Sequence, residues 1–438
     1  RCSRGGVMGA FKPIWQPVDS GESIIEAFGG LDLDYINERY RIYDPALGRL
    51  VEKPWADIAN NRSLPTGRTY WDADGVLQTA AADAPVIEYD PVTGVKLGNR
   101  IWGSYENLVL SSSSFGNAGI WGRSGTLDET AIDSPLSGKK YWRATPPPGQ
   151  FFICNTAQFT KAATPLVYSA SILIRNEGQD VFTLSIDDGN SINRGRANFN
   201  LNAANITVFN DGGFTATKAD MRFLASGDIL LRLQTTSNNA TGIRYRYFFS
   251  DTGSSLLVQA PQLKAGDYAP YADTTGSAVT IPAESQIIDG QNFLDFFKKS
   301  EGSVYVDYLP ALGSNDAAAV IGSNLINGNL IFHGIQADGY AVDMRSFAGV
   351  FTKATPAVTR ATVRTKLAMR YSAATNNYSL AINGSVVLTA SGFDLAAMTQ
   401  FNIALRAVAG TVEAGHYRRI IGFRNALPDS LLQRITQL

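Results

Sequence analysis

The chain holds two histidines, His333 and His416, and two cysteines, Cys2 and Cys154, among 438 residues. A Ser or Cys nucleophile ordinarily works through a histidine base within hydrogen-bond reach. Neither histidine stands near a Gly-x-Ser-x-Gly elbow, so both read as surface or strand residues and no catalytic residue is expected. The Walker, HExxH and CxxC patterns are absent too. The stretch IDDGNSIN (186–193) gathers Asp187, Asp188 and Asn190, hard oxygen donors of the kind that hold calcium. Its spacing is not that of an EF-hand, so a polar turn is the first expectation and a calcium site the second; no cofactor is expected. Cys154, in FFICN, reads as a buried thiol. An intersubunit disulfide of Cys2 or Cys154 is the alternative, because a cysteine in an exposed tail can reach another subunit. Glycoside hydrolysis needs two carboxylates at a set separation in space. Spacing along the chain does not reveal such a pair, and a depolymerase stays open as a reading.

Aromatic residues make up 11% of the chain. RIWGSYENL, GIWGR and KYWRA set Trp102, Tyr105, Trp121 and Trp142 in short polar contexts, and an exposed ring there would stack on the apolar face of a sugar. The competing reading is core, the usual place for a tryptophan in a sandwich. The stretch from Asn61 to Gly94 offers turns instead of chemistry: Asp72, Asp74, Asp83 and Asp90 each stand beside Gly, Pro or Ala, where carboxylates cap backbone N–H groups.

The elements that must position these residues are strands. Charge is balanced, 38 basic against 39 acidic residues, so there is no net field to hold nucleic acid or an anionic membrane, and neither is an expected partner. No apolar run is long enough to span a bilayer. The basic start reaches Lys12 and Pro13 before the apolar core of a signal peptide forms, and a start at Arg1 instead of Met implies preceding residues. Short runs rich in Val, Ile, Phe and Tyr, separated by turn residues, give an all-β signature. In IRYRYFF, Ile243, Tyr245, Tyr247 and Phe249 share one face. VFTLSI and KLAMRY repeat the alternation, and YSLAINGSVVL is a hairpin about Asn383-Gly384. Short helices are expected at QNFLDFFKK and PDSLLQRITQL. The predicted architecture is two β-sandwiches in tandem (86–285 and 286–438) after a loop-rich arm (1–85) too poor in apolar pattern to hold a core of its own.

A resemblance sharpens this reading. GRTYWDADGVLQTAAADAPVIEYDPVTGVKLGN followed by ENLVLSSSSF resembles a segment of tailed-bacteriophage and prophage structural proteins that leads into a carbohydrate-binding-module-like sandwich. YSASILIRN resembles that family's central strand, and APQLKAGDYAPYADTTGSAVT its exit. RIWGSYE (100–106) departs from the acidic stretch the family usually carries there. GSVYVDY, TKLAMRYSAATNNYSLAINGSVV and GHYRRIIGFRNALPDSLLQRITQL resemble a concanavalin-like, laminin-G-type jelly roll that often follows in these proteins. The resemblance covers about residues 66 to 438, and by it both sandwiches are expected to be jelly rolls. It implies a non-enzymatic virion component, a tail fibre, tail-associated or decoration protein on the particle surface. It further implies docking by the arm on other virion proteins, assembly as a homo-oligomer such as a trimer, and display of sandwiches that meet host-surface glycan. A receptor-binding adhesin for host polysaccharide is the alternative.

Overall fold

A computed structural model describes residues 21–437 apart from 117–118, 191, 251–253, 267, 311–316, 323–329, 336–338, 346–350, 355–363, 392–397, 404, 407–410 and 413–414. The protein is all-β, and its helices are short.

The first sandwich is built from residues 105–281. One sheet runs Trp121–Ser124, Phe151–Thr156, Gly242–Ser250, Val181–Asp187, Arg194–Asn200, Asn205–Asn210. The facing sheet runs Thr126–Asp133, Lys140–Thr145, Leu256–Ala265, Val167–Asn176, Ile229–Thr236, Thr215–Phe223. The alternation read from the sequence is the cause: Ile243, Tyr245, Tyr247 and Phe249 meet Phe182, Leu184 and Ile186 inside, with Ile172, Leu231 and Val258 from the opposite sheet.

The second sandwich is not confined to the C-terminal block. In its ten-stranded sheet Gly29–Asp34 pairs with Gly415–Phe423, and Arg39–Asp44 and Arg49–Glu52 extend that edge. On the other side follow Glu301–Pro310, Thr365–Ser372, Asn377–Ile382 and Ser385–Ser391. Its partner sheet takes Asn61–Ser63 beside Ser285–Asp289. The expected loop-rich attachment arm is, over its described part, strand and helix built into this sandwich. Leu31, Leu33 and Ile42 enter the core between the sheets, while Ile24 and Ile25 of the helix Gly21–Phe28 pack on the outer face with Leu432 and Ile435 of the helix Asp429–Gln437. A segment too poor in apolar residues to fold alone is stabilised by completing another segment's sheet.

The boundary expected at 86 moves for the same reason. Ile87–Tyr89 and Lys96–Ile101 join the large sheet, the latter through Gly415–Tyr417. The first sandwich is thus an insertion into the second. Its incoming strand Tyr105–Asn107 and outgoing strand Val279–Ile281 are paired antiparallel as a two-stranded stem, the close approach of ends that lets a domain be inserted. The hairpin at Asn383-Gly384 has φ of 45° and 88°, the positive pair a two-residue turn of this type requires.

Candidate functional site

A cleft of about 200 Å³ opens beside the stem, where the two sandwiches meet. The turn-rich segment 69–102 builds one wall. Asp72 turns the chain between Thr69–Trp71 and Leu77–Thr79, its carboxylate accepting from the N–H groups of Asp74 (3.0 Å) and Val76 (2.8 Å). Asp90 does the same for Val92 and Thr93, both at 2.9 Å. These turns, as the sequence predicts, are caps; they leave Trp71 and Tyr89 facing the cleft. The opposite wall is the outer face of the inserted sandwich, with Leu173, Leu230, Arg232 and Ala260, and the outgoing segment adds Tyr268 and Tyr271. The Arg232 guanidinium lies 4.7 Å from the centre of the Tyr268 ring and is held by Asp220.

The floor is charged. Arg100 and His416 are cross-strand partners, and Glu88 reaches both: its Oε2 is 2.6 Å from His416 Nε2 and its Oε1 is 3.5 Å from Arg100 Nη1. Burial alone would raise the Glu88 pKa, yet Arg100, His416 and the Trp71 N–H hold it below the usual carboxylate value. Behind the floor Glu284, 1% exposed, lies 3.4 Å from Arg68. Burial dominates there and pushes its carboxyl up to about 7, against the pull of Arg100 and Arg68. Nε and Nη2 of the buried Arg100, Oε1 of Glu284 and the Tyr105 hydroxyl have no hydrogen-bond partner among the described residues, an arrangement that costs stability unless something else is served.

Of the aromatic residues singled out in the sequence, only Trp102 lines the cleft. Trp121 is core, 1% exposed, its Nε1 donating to the Ser111 carbonyl at 3.1 Å and its ring 4.7 Å from Phe115. Trp142 is half-buried with its edge toward Phe115, and Tyr105 is buried in the stem. Trp71, Tyr89 and Tyr268 stand in the stretches GRTYWDADG, VIEYDP and KAGDYAP, and aromatic type within those turn-rich stretches is the signal that finds them. The departure RIWGSYE falls at this junction, supplying Arg100, Trp102 and Tyr105.

The calcium candidates are committed to other donors. Asp187 accepts from Arg244 Nε (2.9 Å) and the Gly189 N–H (2.9 Å), and Asp188 from the side-chain amides of Asn193 and Asn238. Asn190 accepts from the Ile192 N–H and so shapes the turn. Among the described residues no three His, Cys, Asp or Glu side chains are placed to hold a metal ion. Cys154 is a free thiol buried in the core, its pKa pushed up to about 12 by burial. An intersubunit disulfide at Cys154 is thereby excluded by access; Cys2 and the His333 side chain lie outside the described residues.

No family model and no curated protein matches the chain. Among solved structures, the Ruminococcus gnavus IT-sialidase CBM40 bound to alpha2,3 sialyllactose aligns at 18% identity over 32% of this chain and 83% of its own, with a TM-score of 0.29. Domain 4 of AbnA, a GH43 extracellular arabinanase from Geobacillus stearothermophilus in complex with arabinotriose, aligns at 13% identity over 39% and 82%, TM-score 0.29. A leech intramolecular trans-sialidase aligns at 15% identity over 35% and 26%, TM-score 0.31. Likeness at this level carries no argument about function.

Proposed function

We propose that this protein is a non-catalytic structural component of a tailed-phage particle, carried on other virion proteins as a homo-oligomer and displaying its inserted sandwich toward host-surface glycan. The observation that carries the glycan half is the cleft. Trp71, Tyr89, Trp102 and Tyr268 give it flat apolar walls, and Arg232 with the Glu88–His416 pair gives it hydrogen-bonding groups, the mixture a sugar ring with one apolar face and a rim of hydroxyls requires. The virion half rests on the sequence resemblance, two of whose blocks, 66–115 and 260–280, converge on this junction.

The competing depolymerase reading needs two carboxylates reachable by one substrate. Glu88 and Glu284 have pKa values pushed apart, yet Glu284 does not line the cleft and Arg100 stands between. This favours binding over hydrolysis.

Mass spectrometry of purified particles tests the virion assignment: the chain is expected there in many copies, and its absence would overturn the assignment. For the cleft, titration of the full chain with host-surface polysaccharide is expected to show binding that Trp102→Ala weakens by about tenfold or more, the scale of losing a central aromatic anchor. Unchanged binding in that variant would move the site elsewhere.

A further inference from the structure

The sheet of the inserted sandwich that faces away from the cleft carries four arginines on its outer face. In Gly242–Ser250 the tyrosines and Phe249 point inward, which turns Arg244, Arg246 and Phe248 outward. The same alternation turns Thr183, Ser185 and Asp187 outward on the next strand, and Arg194 and Arg196 on the one beyond. Pairing sets them in rows: Asp187 lies between Arg244 and Arg194, and Ser185 between Arg246 and Arg196. A strand of short side chains flanked by long ones is a trough. Arg246 and Arg196 spring from backbones about 10 Å apart across it, two strand spacings; the Arg194 guanidinium reaches across to lie 5.5 Å from the centre of the Phe248 ring, beside Arg246, while that of Arg196 leans outward over Phe209 at 4.1 Å.

The trough is short of anions. Four guanidinium groups share two carboxylates, Asp187 and Asp211. Arg244 takes Asp187 at 2.9 Å; Arg246 Nε stands 3.3 Å from the other Asp187 oxygen without hydrogen-bond alignment, and Arg196 Nε stands 3.5 Å from Asp211. The buried Nε atoms of Arg194, Arg196 and Arg246 have no acceptor among the described residues. Burial, and then the neighbouring guanidiniums, hold Arg194 and Arg246 below the ordinary arginine value. Beside the rows lies an apolar shelf: Phe248 pairs across the strands with Ile153, 38% exposed, and meets the ring of Phe151, 56% exposed.

We infer that this trough binds an acidic saccharide, its carboxylate or sulfate received by Arg246 and Arg194 and the C–H face of its ring resting on the exposed Ile153 and Phe151 beside them. Planar guanidiniums suit both anions, and the shelf suits a sugar better than a bare ion. The chain's net charge of −1 supplies no long-range field for a nucleic-acid backbone. The choice of a saccharide rests on the glycan-display reading above; the anion site does not.

The test is calorimetric titration of the full chain at low ionic strength with polygalacturonate, dextran sulfate and uncharged dextran. Binding of at least one polyanion and none of uncharged dextran is expected; which polyanion binds identifies carboxylate or sulfate. Arg246→Gln is expected to weaken it about tenfold, the scale of a charged hydrogen bond. Arg194, whose Nε has no acceptor among the described residues, gives up its place over the outward-facing ring of Phe248; Arg194→Gln is expected to act in the same direction and decides the matter if Arg246→Gln melts early. Trp102→Ala, on the cleft side, is expected to leave polyanion binding unchanged. If neither polyanion binds, or both arginine variants bind as the parent does, the site does not exist. Loss of polyanion binding in Trp102→Ala alone would assign the anion to the cleft and overturn it equally.

Discussion

Two buried charge centres in this molecule are built from the same residue types and finished differently. In the large sheet Asp32, fully buried, accepts on both oxygens: Arg41 donates at 3.0 and 2.6 Å, and Arg419 at 2.8 and 3.1 Å. Glu22 caps the outer side of the same arginines. At the stem, Glu284 has one arginine at 3.4 Å and an oxygen with no donor, and Arg100 has two N–H groups with no acceptor. The saturated centre fastens the N-terminal strand to the sheet. The unsaturated one borders the cleft through Arg100, with Glu284 behind the floor.

The largest effect is expected at the saturated centre. Asp32→Ala takes from Arg41 and Arg419 the one acceptor they share at full burial and leaves them Glu22, Glu26 and Asp34; removing one partner of a buried pair costs about 3–5 kcal/mol, and the lower end applies here. Urea unfolding should show a midpoint shift of that size; a loss under 1 kcal/mol would erase the distinction between the centres.

Next comes the pH dependence at the stem. Glu284 keeps its proton up to about 7 in the folded protein, against an ordinary 4.5. Stability is therefore complete below pH 4.5, falls as pH rises toward 7 and stays reduced above, by on the order of 3 kcal/mol at most. Glu284→Gln should flatten that slope in melting temperature against pH; an identical slope in parent and variant would show that the carboxyl is ionised already.

The smallest effect belongs to Glu22, whose carboxyl is held down to about 2, burial being outweighed by Arg419 and Arg39. Its contribution is present above pH 4.5 and lost as pH falls toward 2. The side chain is 42% exposed, so Glu22→Gln should cost under about 1 kcal/mol at neutral pH in the same urea assay. A larger loss would mean that Glu22, and not Asp32, organises the centre.

The strands of the inserted sandwich were legible because period-two alternation is local: IRYRYFF and VFTLSI carry it in seven and six residues. The C-terminal hairpin was legible from Asn383-Gly384. The insertion was not, because GGLDLD offers only Leu31 and Leu33 as pattern, and its partner Gly415–Phe423 lies at the other end of the chain. The same holds for the cleft floor. Trp102 is a candidate by type alone, whereas Arg100, Glu88 and His416 come together through a register that no short window contains. The arginine trough was half visible: the arginines of IRYRYFF alternate with core residues, but those of the RGRANFN strand join them only after pairing.

Joining the two ends of the chain has a consequence for synthesis. Asp32 meets Arg419 across 387 residues, which at about 5–20 residues per second take roughly 20–80 s to emerge from a ribosome. Within that interval the inserted sandwich gains all its strands and can close first, while Gly29–Asp34, paired with Arg39–Asp44 on one side, keeps its other edge open. Chaperone demand and aggregation during expression should therefore concentrate on the amino-terminal strands.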